Sequence, residues 1–153
     1  MTRSKLIAGL LLIAVLAVPA LAHGGRNTIE VDAKLTGKAE VPDPGSKDGK
    51  GDITIFLKPT RDKVCFNLEV KGLDTITDSH IHKGAKGVAG DVKVPLFVGK
   101  ELDGTGSYEG CVKNVKSKLI KKIAAHPERY YANVHTEEFP AGAIRGQLTP
   151  PAA

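Results

Sequence analysis

Three histidines on two strand-like segments are the side chains of this sequence best suited to chemistry. His80 and His82 flank Ile81 in one segment, and His135 follows Val134 in the other. Side chains of a β-strand alternate between two faces, so His80 and His82 point to the same side. If the second strand lies beside the first, His135 completes a three-imidazole cluster, a common donor set for copper or zinc.

The polar residues near these histidines allow two interpretations. In the first, the three imidazoles bind Cu(II) or Zn(II), and Asn133, Thr136 and Arg145 orient them through hydrogen bonds. In the second, the same side chains form a hydrogen-bonded polar network that stabilises the strand ends and binds no metal. The sequence leaves both interpretations open.

The first 22 residues have the features of an export signal. Arg3 and Lys5 precede an apolar run over residues 6–18, and residues 19–22 (Pro-Ala-Leu-Ala) form a small-residue cleavage site. The apolar run is shorter than the roughly 20 residues of a membrane span, so we expect no stable membrane insertion after cleavage. The sequence therefore predicts a signal peptide over residues 1–22 and an exported protein, periplasmic or extracellular.

The length and net charge of the chain limit the number of domains and the kinds of partner that we expect. Cleavage after Ala22 leaves 131 residues, enough for one domain, and lowers the formal net charge from +5 to +3. The lysines cluster visibly only between Lys113 and Lys122, where a solvated helix face is favoured over a binding surface. Since the chain has no Trp and few aromatic residues, a base-stacking platform is not supported, and we expect no nucleic-acid partner.

Cys65 and Cys111 are the two cysteines of the chain, and each lies in a strand-like run. An even number of cysteines in an exported protein predicts a disulfide, which we favour over thiolate ligands to a metal. The bridge would close a loop of 46 residues (65 to 111) and contribute about 4 kcal/mol by restricting the unfolded chain.

Period-two alternation of apolar residues predicts seven or eight short strands separated by loops rich in glycine and proline. One segment, beginning at Ser117 and ending before Pro127, has the apolar spacing of a helix, with Leu119, Ile120 and Ile123 on one stripe. These elements predict an all-β fold with one short helix. We expect an antiparallel β-sandwich of Greek-key type, similar to immunoglobulin or superoxide dismutase domains.

A series of short motifs occurs in order between Thr28 and Thr149. They are Leu35-Thr36-Gly37, Glu40-Val41-Pro42, Gly72-Leu73, His80-Ile81-His82-Lys83-Gly84 with Gly87 and Gly90, Tyr131-Ala132-Asn133-Val134-His135-Thr136, and Pro140-Ala141-Gly142-Ala143-Ile144-Arg145-Gly146-Gln147-Leu148. Together they resemble the CHRD domain. That family is named after chordin, an extracellular antagonist of bone morphogenetic proteins, and occurs widely in exported bacterial proteins.

The resemblance implies an exported, β-rich domain over residues 28–149, preceded by a flexible N-terminus (23–27) and followed by a tail (150–153). It implies no established activity. We expect a non-catalytic binding module whose partner is a metal ion or another extracellular or envelope protein. The sequence holds no Gly-x-Ser-x-Gly motif, and both cysteines are expected to be paired. It also lacks well-placed histidines for the four-histidine copper site of superoxide dismutase.

Overall fold

The structure, a computed structural model, describes residues 27–151. The predicted signal peptide (1–22) lies outside the described residues. So do residues 23–26 of the predicted flexible N-terminus and the last two residues of the predicted tail (150–153). Within residues 27–151, no helix is long and apolar enough to cross a membrane.

Eight antiparallel strands and one α-helix form the described domain, which confirms the predicted all-β class with one short helix. The strands are β1 (Ile29–Thr36), β2 (Lys50–Lys58), β3 (Lys63–Lys71), β4 (Ile76–Lys83), β5 (Val92–Phe97), β6 (Gly106–Lys113), β7 (Tyr130–Thr136) and β8 (Ile144–Gln147). The helix α1 spans Ser117–Ala125, and short 3₁₀ turns span Gly37–Ala39, Pro59–Arg61 and Pro127–Arg129.

The strands belong to one sheet in the order β5-β4-β7-β8-β1-β2-β3-β6. Its two four-stranded halves are joined through a short β8–β1 pairing at Thr36 and Arg145. The two edge strands, β5 and β6, approach each other at the far side, and Phe97 of β5 reaches Phe66 of β3, the neighbour of β6, with ring centroids 6.0 Å apart. The two layers of the predicted sandwich are thus the halves of one curled, nearly barrel-like sheet.

The inside of the curled sheet is the hydrophobic core. Alternate residues of every long strand point inward, as Ile53, Ile55 and Leu57 of β2 show, each at most 1% exposed. Ile120 and Ile123 of α1 are fully buried against the strands, as the apolar stripe predicts. Burying a side chain of this size contributes about 2–3 kcal/mol, so the inward residues determine the register of each strand.

The predicted disulfide between Cys65 and Cys111 is confirmed. The two residues face each other directly across the β3–β6 ladder, on the outer surface of the sheet. Cys65 is 7% exposed because its neighbours cover it, whereas Cys111 is exposed. The bridge therefore ties the edge strand β6 to its neighbour from the outside.

A bulge near the start of β4 decides which way its histidines point. Ile76 pairs with Thr136 and Asp78 pairs with His135, so Thr77 is an extra residue on β4. Such an insertion exchanges inward and outward positions beyond it. After the bulge, Ile81 is fully buried in the core, and the alternate positions that carry His80 and His82 face outward.

Candidate metal centre

The three histidines meet on the outer face of neighbouring strands β4 and β7. His80 pairs with Asn133, and His135 lies two residues further along β7 on the same face. One ring nitrogen from each of His80, His82 and His135 lies within 4.8 Å of the others. The predicted convergence is therefore confirmed, and the cluster is an arrangement that could hold a metal ion.

His82 is held with one ring nitrogen free. Its Nδ1 lies 2.8 Å from the carbonyl oxygen of Gly90, which can only accept, so Nδ1 carries the proton and donates it. The Nε2 atom then has a lone pair, and it is buried without a hydrogen-bond partner. A backbone carbonyl that fixes the tautomer in this way is the usual second partner of a metal-binding histidine.

His135 is anchored in the same manner. Its Nδ1 donates to the carbonyl oxygen of Pro140 at 3.0 Å, so its Nε2 also has a lone pair. Two donors share that lone pair: Nδ1 of His80 at 3.2 Å and Nδ2 of Asn133 at 2.8 Å. A metal ion at the cluster would replace both hydrogen bonds.

The surroundings keep the imidazoles of His80 and His82 neutral. Burial, together with the neighbouring His135 and His82 and against the opposing charge of Asp78, lowers the pKa of His80 to about 4. Burial likewise lowers the pKa of His82, and the nearby Arg145 acts in the same direction. Protons therefore do not compete with a metal for the ring nitrogens of His80 and His82 near neutral pH.

Two of the three predicted supporting residues lie beside the histidines. Asn133 is 3% exposed and bonds to His135, and its Oδ1 is buried without a partner. Arg145 pairs with Asn133 from the next strand, β8. Thr136, in contrast, faces inward, and its hydroxyl accepts a hydrogen bond from the backbone of Phe139. The structure does not bring Thr136 to the imidazoles.

A stack of three side chains crosses strands β4, β7 and β8 beside the cluster. The rings of His82 and Tyr131 are parallel within 9°, with centroids 4.8 Å apart. The guanidinium carbon of Arg145 lies 3.4 Å from the centroid of the Tyr131 ring. The stack fixes the plane of the His82 imidazole, since each member is held by contact with the next.

The glycine-rich loop over residues 84–90 folds over this stack. Arg145 donates from Nη2 to the carbonyl oxygens of Ala85 at 3.0 Å and Val88 at 2.9 Å. At Gly90, which supplies the carbonyl for His82, a Cβ atom would collide with the carbonyl of Lys83. A residue other than glycine would therefore displace the loop and with it the anchor of His82.

Sequence reasoning missed several parts of this site. Tyr131 and Asp78 share the outward face with the histidines, and strand alternation could have indicated Tyr131. Asp78 is brought to that face by the bulge; its carboxylate accepts a hydrogen bond from the backbone N–H of Gly99 at 3.1 Å. No sequence pattern could have indicated the carbonyls of Gly90 and Pro140, because any residue type supplies the same backbone group.

Fold and site together define an all-β domain with a three-histidine cluster on its outer face. The family model for the CHRD domain matches residues 31–148, nearly the whole of the described chain. The protein therefore belongs to the CHRD domain family. A search of curated proteins and a search of solved structures each found no match.

Proposed function

We propose that this protein is an exported, non-catalytic binding module that binds copper or zinc through His80, His82 and His135. The observation that carries the proposal is the Nε2 atom of His82, a buried lone pair without a partner that lies within the cluster. Leaving such an atom unsatisfied costs free energy, which metal binding would recover.

The donor set supports these two metals. Three imidazoles suit copper and zinc, and they leave a coordination position for water or an external ligand. Nitrogens around a tetrahedral metal lie about 3.3 Å apart, so the imidazoles would need to close by up to about 1.5 Å from a separation of 4.8 Å. We expect copper(II) to bind more tightly than zinc, in line with the general order of affinities.

Metal content tests the proposal directly. The domain and a His80→Ala/His82→Ala/His135→Ala variant are dialysed against copper or zinc, washed free of loose ions, and analysed by elemental mass spectrometry. We expect one equivalent on the native domain and none on the variant, with circular dichroism confirming that the variant is folded. Equal metal on both proteins would contradict the site.

A second function is favoured by the hydrogen bonds that the histidines already make. Two imidazoles tie the loop at Gly90 and the turn at Pro140 to the sheet, as expected for a structural polar network in an envelope interaction domain. In that case the native domain binds no metal, and the triple variant is less stable than the native domain even when a chelator is present. Thermal unfolding with and without chelator separates the two functions.

Asn133→Asp is expected to strengthen metal binding about tenfold. The substitution removes the N–H donor that occupies the lone pair of His135 and places a carboxylate among the imidazoles, where it attracts a cation. Competition titration with a zinc indicator dye measures the change. Asn67→Asp, an exposed substitution on β3, is the control for added charge. Unchanged or weaker affinity in Asn133→Asp would contradict the assigned position of the metal.

A further inference from the structure

A second reactive arrangement lies on the opposite half of the sheet, around the disulfide. Three lysines are aligned across β2, β3 and β6: Lys58 pairs with Lys63, and Lys63 pairs with Lys113. The disulfide joins Cys65 and Cys111, which lie two residues along their strands from Lys63 and Lys113. The disulfide is therefore about 7 Å from the lysines on the same face. Like charges directly opposite each other on a sheet are destabilising. Natural sequences break such local rules mainly at functional or strained sites.

The lysine row has no compensating acid. Among the ion pairs of residues 27–151, none involves Lys58, Lys63 or Lys113. Instead, Nζ of Lys58 donates a hydrogen bond to Sγ of Cys65 at 3.6 Å. An ammonium group beside a sulfur stabilises the thiolate form of that sulfur, and a stabilised thiolate leaves faster in thiol–disulfide exchange.

The two sulfurs differ in access. Cys65 is 7% exposed, whereas Cys111 is exposed on an edge strand. Cys111 points to the outer surface of the sheet, and within the described sheet no strand is hydrogen-bonded to the other side of β6, so an attacking sulfur can reach Cys111 from outside. The accessible sulfur and the better leaving group are therefore different atoms of the same bridge.

We propose that the Cys65–Cys111 bridge is a thiol-exchange site for anionic thiols. An external thiolate attacks Sγ of Cys111, the bond between the two cysteine sulfurs breaks, and Cys65 leaves with the electron pair as a thiolate beside Lys58. The product is a mixed disulfide on Cys111. If the attacking molecule is a dithiol, its second thiolate releases Cys111, and two electrons have passed to the protein. The lysine row attracts the anionic partner.

The experiment uses the folded, metal-free protein without denaturant. Reduced glutathione, which is anionic, is compared with the cationic thiol cysteamine, each rate being divided by that of the same thiol with a neutral model disulfide. We expect glutathione to react at least about fivefold faster, with a preference that shrinks at high salt. Alkylation followed by tandem mass spectrometry should find glutathione on Cys111 and the alkyl group on Cys65.

Variants test the role of the lysines. Lys58→Met/Lys63→Met/Lys113→Met should abolish the preference for the anionic thiol. Lys71→Met, which removes an exposed charge at the other end of β3, should keep it. Glutathione on Cys65, equal normalised rates for the two thiols, or no exchange without denaturant would each overturn the proposal. These three readouts come from the native protein, so they stand even if the triple variant fails to fold.

Discussion

Replacement of single histidines should weaken metal binding to different degrees, with His82→Ala and His135→Ala each losing more than about 100-fold and His80→Ala about tenfold. His82 and His135 are the two imidazoles whose Nδ1 atoms donate to backbone carbonyls, so each holds an Nε2 lone pair ready for a metal. The structure shows no such carbonyl for His80, whose Nδ1 donates to His135 instead. Before Nδ1 of His80 can bind a metal, it must lose that hydrogen bond and its proton must move to Nε2.

Affinity is measured by competition titration, and the number of nitrogen ligands by electron paramagnetic resonance of the copper(II) form. Each of the three variants should lose one imidazole from the spectrum. His126→Ala is the matched control, because His126 lies at the end of α1, exposed and near Glu128, and should leave both readouts unchanged. A His80 variant as weak as the His82 variant would contradict the unequal roles. Full affinity in all three would contradict the site itself.

The cluster could be predicted because β-strand alternation is a local property. Ile81 and Val134 are apolar and must face the core, so the histidines beside them must face the other way. The same argument places Cys65 outside, opposite Val64 and Phe66. Its pairing with Cys111 followed from the count of cysteines and not from geometry.

Other features depend on contacts that the local pattern does not encode. The bulge at Thr77 is visible only once β4 is paired with β7, and it is what brings Asp78 to the same face as the histidines. Thr136 was assigned to the site from its proximity in sequence, yet its position on the strand turns it inward. Curling of the sheet, which brings β5 near β6, likewise depends on the whole set of strands.

Glu40 is another residue whose environment the sequence did not reveal. It belongs to the Glu40-Val41-Pro42 motif, yet the residue is only 6% exposed and its Oε1 is buried without a partner. The backbone of Gly142, at a φ of 143°, packs directly on the carboxyl, and a Cβ atom there would lie 2.6 Å from Oε1. Burial raises the pKa of Glu40 to about 7, although the charge of Arg145 opposes the shift.

This raised pKa makes stability depend on pH in a defined direction. The folded protein holds the proton of Glu40 up to about pH 7, whereas the unfolded chain releases it near 4.5. The contribution of Glu40 is therefore fully present below pH 4.5, falls between 4.5 and 7, and is lost above 7. The shift corresponds to about 3 kcal/mol. Asp43 and Glu138 line the same groove but are exposed.

Glu40→Gln should remove this dependence, because the amide has nearly the same shape and no charge to bury. We expect the variant to be more stable than the native protein by up to about 3 kcal/mol at pH 8 and equal to it near pH 4.5. Urea unfolding at a series of pH values, with a chelator present, measures the difference. Glu138→Gln removes an exposed carboxylate from the same groove and is the matched control.

The comparison is made as a difference between two proteins because the histidines titrate in the same window with the opposite sign. The pKa values of His80 and His82 are lowered on folding, so their contribution is present above the ordinary value of 6.5 and lost as the pH falls through the lowered values. That contribution is common to the native protein and Glu40→Gln and cancels between them. A difference that stays constant from pH 4.5 to 8 would mean that Glu40 is ionised in the folded protein. Arg145, not burial, would then control its charge.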